Sequence, residues 1–153
     1  MSLKLSFSWV GLVVFALPML INIAYAVFPP AGDTSSSGSV TRWVEAVENV
    51  SRIVYLVLLT FLVSRNPPEP RSVWLAAAVV FLVLYYIVWI RYFAGGRNVA
   101  LLGKPFLFVP FPLAVFPVLY YLSAAIWMGN LPAAAAMTVF GAAHITVTVQ
   151  SFR

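Results

Sequence analysis

The chain has no cysteine and a single histidine in 153 residues. Without thiols there are no disulfides, no thiol nucleophile and no thiolate metal site, although compartment is left open. One histidine, His144, cannot supply paired haem ligands, and with so few carboxylates it makes a poor zinc site. No metal or cofactor is expected. Charge is also scarce, at 8% of residues against roughly 25% in soluble domains. Lysine is missing from the long apolar runs, which argues against a retinal-type Schiff base. There is no Walker loop or dinucleotide fingerprint. Gly95-Gly96-Arg97 is too short for a phosphate loop, although it would let backbone N–H groups approach an anion. No internal repeat is evident, so an inverted-repeat transporter within one chain is not supported.

Apolar surface is abundant instead. Hydrophobic residues make up 63% of the chain and mean hydropathy is +0.98. A soluble fold of this length could not hide so much apolar surface without association. A bilayer can, being itself an apolar solvent. The net charge of +5 would suggest nucleic acid on a soluble domain. Here the cations are scattered between apolar runs, so no nucleic acid is expected. The partners that fit are the bilayer and an anionic small molecule or lipid headgroup, with a homo-oligomer compatible with such a chain.

A spanning helix needs about 20 mostly apolar residues. On that measure the expected fold is an all-α integral membrane protein. It is one domain over 1–153, a bundle of five transmembrane helices with the fourth broken by proline. The spans fall at about 7–28, 41–63, 73–93, 106–128 and 131–150. Connections are short. Pro29 to Val40 is rich in Pro, Gly and Ser, and Asn66-Pro67-Pro68-Glu69-Pro70 cannot remain helical. Lys4 and Ala24-Tyr25-Ala26 imitate a signal peptide, but the segment reads as a retained span. Lys4 favours a cytoplasmic N-terminus with Arg65 and Arg71 inside, yet Arg97, Lys104 and Arg153 would then lie outside. The charge balance is a tie, and the reading taken is N-in and C-out in the plasma (cytoplasmic) membrane.

Five alternating spans bring most of the unusual polar residues to one side. The first contributes Asn22 and Tyr25. The second contributes Glu45, Glu48, Asn49, Arg52 and Tyr55. The third contributes Arg91 and Tyr92, the following loop Arg97, and the fifth His144. On the second span, Glu45, Glu48, Asn49 and Arg52 share a helical face about 100° wide. Glu48 and Arg52 have the favourable i,i+4 order. Arg52 would sit about 16 Å along that helix, a depth at which a charge costs at least about 2.5–3.5 kcal/mol and must face protein or water.

The bland account is a self-neutralising ladder that fixes helix packing, with tyrosines as interface belts and long cations snorkelling to headgroups. The sharper account follows from the excess of cations on this side. Guanidinium binds phosphate and carboxylate bidentately, so Arg52, Arg91 and Arg97 would hold an anionic guest. A lone His144 is ordinarily a packed, hydrogen-bonded residue, but a proton relay with Glu48 is the alternative. Pro110, Pro112 and Pro117 remove backbone donors. The fourth segment is therefore either extended until about Pro112 or strongly kinked, and broken backbone at membrane depth persists where protein or a wet cavity satisfies it.

These residues point first to a membrane protein that binds or transports a small anionic or amphiphilic ligand through a one-sided polar pocket. A membrane enzyme acting on a lipid or amphiphile, with Glu48 or His144 as acid/base, is a rival. So is a non-catalytic or immunity-type subunit whose charged face docks a membrane partner.

Overall fold

The computed structural model describes residues 3–31 and 40–151. Arg153, which entered the charge balance above, lies outside them. The regular structure of the described chain is helical apart from two three-residue strands. In order, these elements are β1 (Leu3–Leu5), α1 (Trp9–Val27), α2 (Arg42–Phe61), β2 (Leu62–Ser64), α3 (Val73–Ala94), α4 (Pro112–Trp127) and α5 (Leu131–Ser151), with a 3-10 turn at Val99–Leu101.

Three helices, α1, α3 and α5, are long and apolar enough to cross a membrane. The other two fall short for different reasons. Helix α2 has the length but carries Arg42, Glu45, Glu48 and Arg52. Helix α4 is apolar but has 16 residues, which is about 24 Å of helix.

The first two helices are shorter than the sequence suggests. Ser6 N–H donates to the Phe61 carbonyl at 3.0 Å and Ser8 N–H to the Thr60 carbonyl at 2.8 Å. Leu3, Lys4 and Leu5 then pair antiparallel with Ser64, Val63 and Leu62. This ribbon occupies carbonyls that a helix end would leave open, so α2 stops at Phe61. Ser8 caps α1, its Oγ accepting from Gly11 N–H at 2.9 Å.

The fourth helix is shorter still. It begins at Pro112 rather than near residue 106, because Phe111 has left-handed backbone, φ 52°, and Phe106 pairs back on Val109 in a tight turn. Pro112 takes the first helical turn, where its missing donor is harmless.

The packing is densest along α2–α5, α3–α4 and α4–α5. Helix α1 leans on this core at two places. Gly11 lies so close to α2 that a Cβ there would stand 2.1 Å from the Leu59 carbonyl oxygen. Farther along, Pro18 sits inside α1 and cannot donate to the Val14 carbonyl. That acceptor is taken by the Tyr120 hydroxyl at 2.8 Å, and the neighbouring Phe15 carbonyl by the Tyr121 hydroxyl at 2.8 Å. Two adjacent tyrosines of α4 thus repair the proline break in α1.

The α4–α5 corner is closed by Asn130. Its Nδ2 donates to the Leu58 and Leu62 carbonyls at 2.8 and 2.6 Å, while its Oδ1 accepts from Ala133 N–H at 3.0 Å. One buried amide ends α2 and starts α5. The core at this end is Tyr55, Leu59, Tyr121, Ala125, Ala133 and Met137.

Candidate functional site

The opposite end of the bundle is less tightly filled. Thr41 N–H donates to Gln150 Oε1 at 3.0 Å, which pins the start of α2 to the end of α5. Helix α1 diverges from α2 beyond the Gly11 contact and turns to α3 instead. There Tyr85 donates its hydroxyl to Asn22 Oδ1 at 3.0 Å. The Tyr25 ring lies 5.3 Å from Trp89 and 5.7 Å from Tyr92, centroid to centroid. Between these walls lies a cavity of about 390 Å³.

Every helix contributes to its lining. Met19, Asn22 and Tyr25 come from α1, Arg52 from α2, Tyr85 and Trp89 from α3. Leu113, Ala114, Pro117 and Tyr121 come from α4, and Phe140, His144 and Thr148 from α5. Leu102 and Phe111 of the irregular segment between α3 and α4 complete it.

The charges meet at one carboxylate oxygen. Glu48 Oε1 accepts from Arg52 Nη2 at 2.5 Å and lies 3.0 Å from His144 Nδ1. The Glu48 side chain is 9% exposed, Arg52 45% and His144 26%. The acid is therefore held behind its two partners, and the partners present themselves to the cavity. The Phe140 ring supports both, stacking with His144 at 5.0 Å and lying 5.5 Å from the Arg52 guanidinium carbon.

The cavity is rich in donors. Arg52 has five N–H groups, and Glu48 takes one of them. The Trp89 indole N–H is buried beside the Tyr85 hydroxyl. Asn22 spends its oxygen on Tyr85, and its amide donor meets only the Met19 sulfur at 3.8 Å. Among the described residues no carboxylate lines the space. Donors facing a largely apolar chamber suit an oxygen-rich anion attached to an apolar body.

Of the residues singled out from sequence, Asn22, Tyr25, Arg52 and His144 line this cavity, with Glu48 directly behind. The rest lie elsewhere. Tyr55 is buried and donates to the Tyr121 carbonyl at 2.9 Å. Tyr92 is buried against Trp89 and Phe93. Glu45 and Asn49 are exposed and do not line the cavity.

Arg91 is not among the residues that line the cavity. It donates to the carbonyls of Leu101, Lys104 and Pro105 at 3.0, 2.9 and 3.2 Å and lies 5.6 Å from the Phe106 ring centre. Its guanidinium thus holds the α3–α4 segment and is not part of the cavity wall. Arg97 is not in the wall either. Its backbone is left-handed, φ 59°, with its N–H on the Tyr92 carbonyl and its carbonyl on Ala31.

Sequence reasoning missed Trp89, Tyr121 and Phe140. Trp89 follows Tyr85 by four residues, the spacing that places two side chains on one helical face. Among the described residues no three His, Asp or Glu side chains gather in a way that could hold a metal ion. The chain matches no family model, no curated protein and no solved structure.

Proposed function

We propose that all five helices cross the bilayer and that the cavity binds an oxyanion borne by a small molecule or by the head of an amphiphile. The carrying observation is the pairing of Arg52 and His144 on the wall with Glu48 buried behind them. A cation kept at membrane depth is costly, and a structural ladder alone would have no need of a cavity of about 390 Å³ at that point. Helix α2 tolerates its charges because α5 shields Glu48, and Arg52 faces the cavity. The short α4 reaches the membrane surface through the Pro105–Phe111 segment, whose start is held by Arg91 at Pro105.

Packed core at Tyr55, Leu59 and Met137 supports a one-sided binding site over an open channel. A second reading draws on the Glu48–His144 contact of 3.0 Å. A carboxylate that orients an imidazole is the arrangement of a general base, and turnover of a bound ester would favour it.

The test is the thermal stability of purified protein across phosphates, sulfate, carboxylates and anionic lipids, since a ligand that binds only the folded state raises Tm. The expected result is stabilisation by at least one oxyanion that Arg52→Lys weakens, because lysine cannot reproduce the guanidinium fork. Equal responses from wild type and Arg52→Lys would remove the basis for the proposal.

A further inference from the structure

We infer that oxyanion binding in this cavity is coupled to uptake of one proton by the Glu48–His144 pair. The inference rests on the binding reading above and adds its regulation by pH.

The charge balance at the site is the starting point. With neutral His144, the cluster of Glu48, Arg52 and His144 sums to zero, and one guanidinium serves one carboxylate. An incoming oxyanion engages the remaining N–H groups of Arg52. The same guanidinium then faces two negative groups, one of them the buried Glu48. Charges in a partly water-excluded space interact far more strongly than in water. A second positive charge at this point therefore stabilises the occupied state much more than the empty one.

His144 is placed to supply it. Its Nδ1 lies 3.0 Å from the oxygen that Arg52 already holds. The proton comes from bulk water through the open side of the cavity and ends on the pair; no other bond changes. The proton belongs to the coupled pair and not to either residue alone.

Among the described residues no other group is positioned for the task. Among the described lining residues the remaining ionisable groups are the phenols of Tyr25, Tyr85 and Tyr121, and phenols ionise near pH 10 in water. On α2, Glu45 is exposed and outside the wall, and Arg91 of α3 is committed to backbone carbonyls. Thr148 of α5 donates its hydroxyl to the His144 carbonyl and carries no charge. The sign follows directly. The occupied state holds more protons than the empty one, so affinity rises as pH falls, with a limiting slope of about tenfold per pH unit for one proton.

The experiment uses two probes that do not themselves titrate near neutrality. They are inorganic sulfate, and phosphatidylglycerol doped into phosphatidylcholine nanodiscs that hold the full chain. Binding is measured from pH 5.5 to 8.5. Wild type should bind at least one probe more tightly at low pH, the responsive probe telling a soluble anion from a lipid head. His144→Gln should lose the tightening at low pH, binding at every pH no better than wild type does at pH 8.5. Should that variant fold poorly, wild type alone decides: sulfate or lipid binding in weakly buffered solution should take up about one proton per site, read with an indicator dye. Binding with a flat pH profile and no proton uptake overturns the coupling and leaves the binding site standing. No binding of either probe at any pH overturns both.

Discussion

The Tyr120 hydroxyl donates to the Val14 carbonyl at 2.8 Å, the acceptor that Pro18 would have served had it carried an N–H. A proline inside a helix costs about 3 kcal/mol or more when its freed carbonyl stays unmet. Inside a membrane water cannot help, so a neighbouring helix must. Tyr120→Phe should therefore destabilise by about 1–3 kcal/mol, the cost of an unmet buried acceptor. In a Pro18→Ala background the same change should cost much less. Equilibrium unfolding of the four proteins in mild detergent checks this. Equal costs in both backgrounds would mean that the tyrosine does not act on the proline break.

Glu48 and Arg52 should depend on each other unequally. Removing Arg52 leaves a carboxylate with 9% exposure to His144 alone, whereas removing Glu48 leaves a guanidinium with 45% exposure that the open cavity can hydrate. Arg52→Gln should therefore cost more than Glu48→Gln. The former is set at about 2–3 kcal/mol, below the full range for fully buried pairs because Arg52 is half exposed. The double variant should cost less than the sum, and unfolding free energies of the three variants decide it.

Arg91 should matter to the α3–α4 segment more than to ligand affinity. It serves three carbonyls of that segment. Arg91→Gln should raise proteolytic cutting near residues 101–105 while the apparent affinity for a stabilising anion stays within about twofold, or 0.4 kcal/mol. Loss of anion response with an uncut segment would return Arg91 to the binding wall.

Gly11→Ala should loosen the α1–α2 contact. The added Cβ would meet the backbone oxygen of Leu59, an atom that cannot rotate away. The expected penalty is about 1–3 kcal/mol. Helix α1 would tilt from α2, and a cysteine pair engineered across that contact should crosslink more slowly in the variant. An unchanged rate would show that the approach is less close than described.

Much of this site could be read from the sequence because its key spacings are local. Glu48 and Arg52 lie one helical turn apart, and their pairing follows from periodicity. The prolines from Pro110 to Pro117 announced irregular backbone, and α4 does begin only at Pro112. The long-range devices could not be read. Nothing in Leu3-Lys4-Leu5 signals a ribbon with Leu62-Val63-Ser64, since three residues carry too little alternation to distinguish a strand. Tyr120 and Tyr121 look like ordinary span aromatics until their hydroxyls are seen on Val14 and Phe15. The carbonyl partners of Arg91 could not be read for the same reason. A cation at a helix end suits an anion or a set of loop carbonyls equally well, and only the fold of residues 101–105 separates the two.

The most direct measurement is the stoichiometry of binding of labelled phosphatidylglycerol or labelled sulfate to the purified chain. It should be made on wild type, on Arg52→Gln, and on Ala114→Phe, which places a ring at a lining position. One molecule per chain on wild type, with loss in both variants while each remains monodisperse, is the predicted result. Equal binding by all three proteins would contradict the cavity as the site.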